Sequence, residues 1–200
     1  MEKVGLLGGT FDPIHNGHIK IAQTVQQKFN LAKIIFIPSK IPPHRAKQMA
    51  NDEQRLKMLE LAVKDHPGFE ISTIELERDA VSYTLETLKK LKNEGQEFYF
   101  LLGADAMEIL PTWREPEKVL ELASFIVVSR PGYDFKKIKE FLNKEPFVKH
   151  KNKVQFFQMD SLDISASDIR QAISENKDVS GLVPDKVLKY IQEEQLYKKF

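Results

Sequence analysis

The sequence predicts an α/β fold: a Rossmann-like open, mostly parallel sheet with helices on both faces and C-terminal helices. Three observations carry this expectation. Short apolar runs alternate along the chain with segments of helical period. Phe98-Tyr99-Phe100-Leu101-Leu102 is continuously apolar before Gly103, as in a strand covered on both faces. A second such run, Phe125–Val128, ends at the turn signal Arg130-Pro131-Gly132.

The remaining elements follow in order. Val4–Leu7 reads as the first strand and Ile34–Ile37 as the second. Between them Ile19, Ala22, Val25 and Phe29 recur at helical spacing and define an amphipathic helix. Pro38 through Arg45 is neither helix nor central strand, because Pro42 and Pro43 lack N–H donors. Asp52 is a candidate cap for a helix whose apolar side carries Leu56, Leu59, Ala62 and Val63. Phe69–Ile74 is a third strand. Thr84-Leu85 opens a helix with Leu88 and Leu91, ended by Asn93-Glu94-Gly95. Val154–Phe157 is the last strand, and helices are expected near Ala166–Ser174 and Asp185–Gln195. No repeat, low-complexity tract or linker interrupts the chain. It reads as one domain over 1–200, with a C-terminal helical extension over about 160–200.

Composition narrows the function classes. Thirty Lys and Arg against 29 Asp and Glu give a net charge of +1, which speaks against a long polyanion such as nucleic acid as the partner. Small phosphorylated ligands need only a few placed cations and N–H groups. The chain has no cysteine, which excludes disulfides, thiolate metal sites and cysteine nucleophiles. No apolar run approaches the roughly 20 residues that span a bilayer, and the first residues resemble a strand rather than a signal peptide. A cytoplasmic protein without membrane association is expected, and homo-oligomer formation is left open.

The segment after the first strand carries the chemistry. Gly8 and Gly9 permit a tight turn and close approach of backbone to a phosphate. The start of the next helix offers N–H groups and a positive dipole end to an anion. His15 and His18, around Gly17, lie one helical turn apart and can face one pocket. Plain turn glycines and loop histidines fit the same residues. A zinc site lacks a clear third ligand, and the spacing matches neither the dinucleotide fingerprint nor the Walker A pattern. Far downstream, Ile164-Ser165-Ala166-Ser167-Asp168-Ile169-Arg170 stands at a predicted helix start. Ser165 or Ser167 can cap that helix, and Arg170 can bind phosphate as a charged fork. A cap alone explains the serines equally well.

Gly8-Gly9-Thr10-Phe11-Asp12-Pro13-Ile14-His15-Asn16-Gly17-His18 resembles the T/HxGH signature of the nucleotidyltransferase superfamily, and most closely that of bacterial nicotinate-nucleotide adenylyltransferases. Ile164–Arg170 resembles the family's ISSTxIR motif, with Ala166 in place of a serine and Ser167 in place of threonine. The resemblance extends over essentially the whole chain. Ile37–Arg45 is similar to IPxxxPPHK, with Arg45 for lysine; Ser82–Leu88 to SYTxxTL; Gly103–Trp113 to GADxxxxLxxW; and Arg130–Tyr133 to RPGY. Leu182–Val187 and Tyr190-Ile191 complete it.

The resemblance implies a transfer of AMP from ATP to nicotinate mononucleotide, giving deamido-NAD and pyrophosphate by direct attack on the α-phosphorus. It implies that His15, His18 and Arg170 act on the phosphates. Gly8, Gly9, Thr10, Phe11, Gly17, Ile164, Ser165 and Ser167 then line the nucleotide site. Lys40, His44 and Arg45 form a mobile lid over the phosphates, although a solvated loop is the plainer reading of those three. Gly103 and Asp105 serve ribose hydroxyls, Trp113 stacks on the pyridine ring, and Thr84 presents helix-start N–H groups to the nicotinate carboxylate. Without the resemblance, Trp113 is equally a core or interface residue, Asp105 a helix cap and Thr84 an N-cap. Mg²⁺ is expected to arrive with ATP rather than in a protein cage, so no protein metal ligands are assigned. Nicotinamide mononucleotide as acceptor, or a non-catalytic nucleotide-binding module, are the alternatives.

Overall fold

In the computed structural model, which describes residues 1–41, 48–91, 95–160 and 164–198, strand and helix alternate from the start of the chain. The first half holds β1 (Glu2–Gly9), α1 (Asn16–Lys28), β2 (Lys33–Pro38), α2 (Asp52–Val63), β3 (Phe69–Ile71) and α3 (Thr84–Leu91). The second half holds β4 (Gln96–Gly103), α4 (Ala104–Glu108), α5 (Pro116–Leu122), β5 (Ser124–Ser129), α6 (Lys136–Leu142) and β6 (Val154–Gln158). It closes with α7 (Ala166–Ser174) and α8 (Asp185–Glu193). Short 3₁₀ turns occupy Leu110–Thr112 and Val148–Lys153.

The strands form one sheet in the order β3-β2-β1-β4-β5-β6. Every pairing is parallel, so the sheet is all-parallel rather than mostly so. This order reverses direction between β1 and β4, and in open α/β sheets the crevice at such a reversal is where ligands bind.

The pleat divides the apolar residues between two cores. Leu7, Phe36, Tyr99, Leu101, Ile126 and Val128 face the core shared with α1, α2, α7 and α8. Val4, Leu6, Phe98, Phe100, Phe125 and Val127 face the core covered by α3, α4, α5 and α6. The continuous apolar runs of β4 and β5 are thus buried on both sides. Gly5 is where the first core is tightest: a Cβ there would stand 2.4 Å from Ile34 Cδ1 and 2.9 Å from Leu31 Cδ1.

Several local expectations need correction. The third strand ends at Ile71 rather than Ile74, since only Phe69–Ile71 pair with β2. The cap of α2 is Asn51, not Asp52: its Oδ1 accepts from Gln54 N (2.9 Å), and its own N–H donates to Gln54 Oε1 (3.0 Å). The buried stripe of α2 runs through Arg55, Met58, Leu59 and Ala62, while Leu56 is only half-buried. Phe29 is the C-cap of α1 rather than a helical residue. Helix α8 stops at Glu193. Asn93 and Glu94 lie outside the described residues. Helices α4, α5 and α6 went unread, being five or seven residues long and too short for a clear period.

Candidate active site

The segment between β1 and α1 is the centre of the site. Gly8 and Gly9 are not the turn expected of them: they end β1, and neither has a positive φ. The left-handed residue is Phe11, at φ 49°, a conformation that costs a bulky side chain energy. Packing holds it there, with the ring buried, 5.8 Å from Phe36 and edge-on to His18 at 5.2 Å. Gly9 makes room for that ring, since a Cβ would meet it at 3.1 Å. The peptide between Asp12 and Pro13 is cis.

Two buried polar side chains support the loop from below. Arg55, fully buried, donates to the carbonyls of Thr10 and Ser39 and pairs with Asp52 at 2.6 Å. Its apolar-stripe position on α2 is the sequence signal that could have found it. Asp12 accepts from the backbone N–H groups of Met49 (2.8 Å) and Ala50 (3.2 Å) and from the Tyr197 hydroxyl (2.7 Å). With its lone pairs engaged and 3% of the residue exposed, this carboxylate is taken up by the protein itself rather than offered to a metal.

His15 caps α1 and is buried, whereas His18 sits one turn later and reaches the cavity. Their rings stack at 3.6 Å. The backbone N–H of His15 donates to His18 Nδ1 at 3.3 Å, so the neutral His18 ring carries its proton on Nε2. Burial holds the His15 pKa down to about 4. Two stacked imidazolium ions would repel, and a neutral His15 avoids that. Gly17 leaves room for the His15 ring, since a Cβ would stand 3.0 Å from His15 Nδ1.

The second motif reaches the histidine loop from 158 residues away: Arg170 Nη1 donates to the Asp12 carbonyl at 2.7 Å. Arg170 Nη2 donates to Ser167 Oγ at 3.2 Å. Ser165 is the cap of α7, its Oγ accepting from Asp168 N at 3.2 Å. Ile164 packs beside Gly17. Further on, Asn16 donates through N–H to Leu182 O (2.9 Å) and through Nδ2 to Gly181 O (2.8 Å), tying the α1 start to the C-terminal segment.

A cavity of about 730 Å³ opens at the carboxyl ends of β1 and β4. Gly8, Gly9, Thr10 and His18 line it from β1 and α1; Thr84, Gly103, Asp105 and Trp113 line it from the carboxyl end of β4, the starts of α3 and α4 and the turn that follows. His15, Phe11, Gly17, Arg170, Ile164, Ser165 and Ser167 are not among the described residues that line it. Thr84 is the first residue of α3, with the Tyr83 carbonyl closing the first turn onto Glu86 N (3.1 Å). Asp105 is not a cap: Gly103 has that place, and Asp105 is exposed in the first turn of α4. Trp113 is half-buried, and its indole N–H has no partner among the described residues.

Sequence reading also missed groups that shape the acceptor end. Glu75 borders the cavity while buried; burial raises its pKa, and the Thr87 hydroxyl donates to it at 2.5 Å. Arg78 donates to Thr87 Oγ1 at 2.9 Å, completing the chain. Arg114 stands 5.1 Å over the Tyr83 ring. The Lys40 ammonium pairs with exposed Asp79 at 2.5 Å. His44 and Arg45, with Pro42 and Pro43, lie outside the described residues.

Comparison with known proteins fits this geometry. The cytidylyltransferase-like family model matches residues 6–172. A relative from Thermoanaerobacter sp. (strain X514), named probable nicotinate-nucleotide adenylyltransferase, is 39% identical over 201 residues, covering 98% of this chain and 95% of its own. The namesake from Geobacillus thermodenitrificans (strain NG80-2) is 41% identical over 200 residues, covering 98% and 87%. The chain belongs to the nicotinate-nucleotide adenylyltransferase family. Its fold is that of Plasmodium falciparum nicotinic acid mononucleotide adenylyltransferase complexed with APC, with a TM-score of 0.76 at 20% identity and 98% of each chain covered. The same protein complexed with NaAD gives 0.75, again at 20% identity with 98% of each chain covered. The β1–α1 segment, Thr84, Asp105, Trp113 and Arg170 of this family member all fall within the span of the family model. Among the described residues no helix is long and apolar enough to cross a membrane.

Proposed function

We propose that the protein transfers AMP from ATP to nicotinate mononucleotide, forming nicotinate adenine dinucleotide and pyrophosphate. The observation that carries this reading is one cavity holding two kinds of end: glycine backbone and His18 at the carboxyl end of β1, and Thr84, Asp105 and Trp113 beyond β4. A nucleotide's phosphates suit the first and a ribosyl pyridine the second.

The acceptor's phosphate is the nucleophile and is already largely ionised near neutral pH, so no side-chain base is needed. Catalysis then rests on alignment and charge neutralisation. His18 Nε2–H donates to the phosphate oxygens, whose charge grows and shifts in the transition state. The His15 ring, packed against His18, sets its orientation and joins it on the phosphates. Arg170, braced on Asp12 and Ser167, supplies the fixed positive charge for the departing pyrophosphate. The substrate is the Mg²⁺ complex of ATP. Mg²⁺ is taken to arrive bound to the triphosphate, and no protein carboxylate is assigned to it.

At the acceptor end, the Trp113 face stacks on the pyridine ring and Asp105 accepts from ribose hydroxyls. The first N–H groups of α3 at Thr84 suit a carboxylate; a carboxamide would turn its NH₂ toward donors and leave them unpaired. The near-neutral chain, with a net charge of +1, suits small phosphorylated partners rather than nucleic acid, and such an enzyme belongs in the cytoplasm with its substrates. We take 1–200 as one domain, because α7 and α8 share a core with β1, β2 and β4.

The deciding experiment follows pyrophosphate release from the purified protein with Mg-ATP and each mononucleotide in turn. Release with nicotinate mononucleotide well above that with nicotinamide mononucleotide is expected. Equal rates would overturn the acceptor, and no release with either would leave a nucleotide-binding module.

A further inference from the structure

The last turn of the chain reaches the histidine loop by a route the reaction chemistry alone does not require. After α8 the backbone closes with Leu196 N on Ile191 O at 3.0 Å. Gln195 (φ 52°) and Tyr197 (φ 64°) are both left-handed. Neither is a glycine or asparagine, so each conformation costs energy that surrounding contacts must offset. The result is that Leu196 and Tyr197 turn inward, 8% and 6% exposed. The Tyr197 ring packs in the core, and its hydroxyl lies 3.9 Å from Met58 Sδ. The same hydroxyl donates to Asp12 Oδ1 at 2.7 Å, across 185 residues of sequence.

A buried ring explains the packing; it does not require a hydroxyl. The hydroxyl is one of three donors that satisfy the buried Asp12 carboxyl oxygens. Asp12 also faces the loop on its other side, where its carbonyl accepts from Arg170. Asp12 therefore joins three things: the chain's end, the return of the backbone at Met49 and Ala50, and the arginine beside the phosphate loop.

We propose that Tyr197 is a positioning residue, whose hydroxyl acts through the Asp12 carboxylate to hold the histidine loop and Arg170 in the arrangement that grips a nucleotide's phosphates. The identity of that nucleotide as ATP rests on the function proposed above. Loss of the hydroxyl is expected to leave Thr84, Asp105 and Trp113 in place, because among the described residues no hydrogen bond joins them to Tyr197, Asp12 or Arg170.

The test is Tyr197→Phe, which keeps the ring. Mg-ATP and nicotinate mononucleotide binding are measured separately by calorimetry, well below the melting temperature, and kcat by pyrophosphate release. The expected result is that Mg-ATP binding weakens about tenfold and kcat falls by a similar factor, for one hydrogen bond to a charged group. Mononucleotide binding should stay within about twofold. Unchanged Mg-ATP affinity, or equal weakening for both ligands, would overturn the proposal. A second measurement on the unaltered protein guards against a variant that does not fold. By linkage, Mg-ATP must slow hydrogen exchange at the Leu196 and Tyr197 amides if the latch and the nucleotide site are coupled; no slowing would count against it. Wild-type protein that binds Mg-ATP but releases no pyrophosphate with either mononucleotide would defeat the proposed reaction and leave the latch standing.

Discussion

The two ends of the cavity are built on different principles. The β1–α1 end is braced by polar groups drawn from distant parts of the chain: buried Arg55 under Thr10, buried Asp12 between Tyr197 and Arg170, and half-buried Asn16 on the 181–182 carbonyls. The acceptor end is lined by local features, the first turns of α3 and α4 and the indole that follows them. Charge that develops during nucleotidyl transfer must be met by donors that are already in place. A flat ring needs mainly a surface. The difference teaches that substitutions at the two ends should fail differently, the first in turnover and the second in binding.

The largest effect should come from His18→Ala, which removes a phosphate donor while leaving the His15 cap of α1. Turnover should fall by on the order of 10²–10³ with mononucleotide KM little changed. Circular dichroism should remain that of the native protein. A folded variant turning over near the wild-type rate would remove His18 from the chemistry and erase the contrast between the ends.

Next in size is a pH effect confined to the phosphate end. Burial lowers the His15 pKa from its ordinary 6.5 to about 4. Below pH 6.5 the unfolded chain binds a proton at this residue that the folded protein refuses, so stability falls as pH drops. The loss accumulates between about pH 6.5 and pH 4 and levels off below, where both states are protonated. The whole window amounts to about 3 kcal/mol at most. Unfolding midpoints measured across that range should show a component that His15→Gln lacks. Parallel pH profiles for the two proteins would contradict the buried, neutral histidine.

Trp113→Ala should be smaller and of the other kind. Loss of a stacking face should raise the mononucleotide KM by about tenfold, roughly 1–2 kcal/mol, with less change in kcat and in KM for ATP. A variant whose KM is that of wild type would sharpen the comparison against us, placing the pyridine ring elsewhere in the cavity.

How much of this was legible in sequence follows the same division. The strands were readable because buried parallel strands are continuously apolar; the two motif halves were readable through resemblance, since turn glycines, loop histidines and a plain helix cap fit the same residues. Thr84 and Trp113 were readable as positions, through resemblance. The supports were not. Arg55 reads as a solvated helix charge until its neighbours Met58, Leu59 and Ala62 place it on the buried stripe. Tyr197 reads as a fraying terminal residue, since its partner Asp12 is 185 positions away and pairing at that separation leaves no periodic trace. The left-handed residue of the loop is Phe11, not either glycine, because tertiary packing overrode the local preference.

Lys40 gives the smallest effect, and it decides which end that residue belongs to. The family resemblance puts it over the phosphates, yet here its ammonium pairs with Asp79, 96% exposed. An ion pair open to water contributes about 0–1 kcal/mol and yields readily to a better partner. A triphosphate is a better partner, carrying more charge in a less hydrated crevice. Asp79→Asn should therefore leave the melting temperature essentially unchanged while lowering KM for Mg-ATP by about twofold, as the ammonium is released. The gain should shrink with added salt, because the competition is electrostatic. An unchanged KM at low salt would mean that Lys40 stays with the surface of the protein, and the phosphate end would then rest on His15, His18 and Arg170.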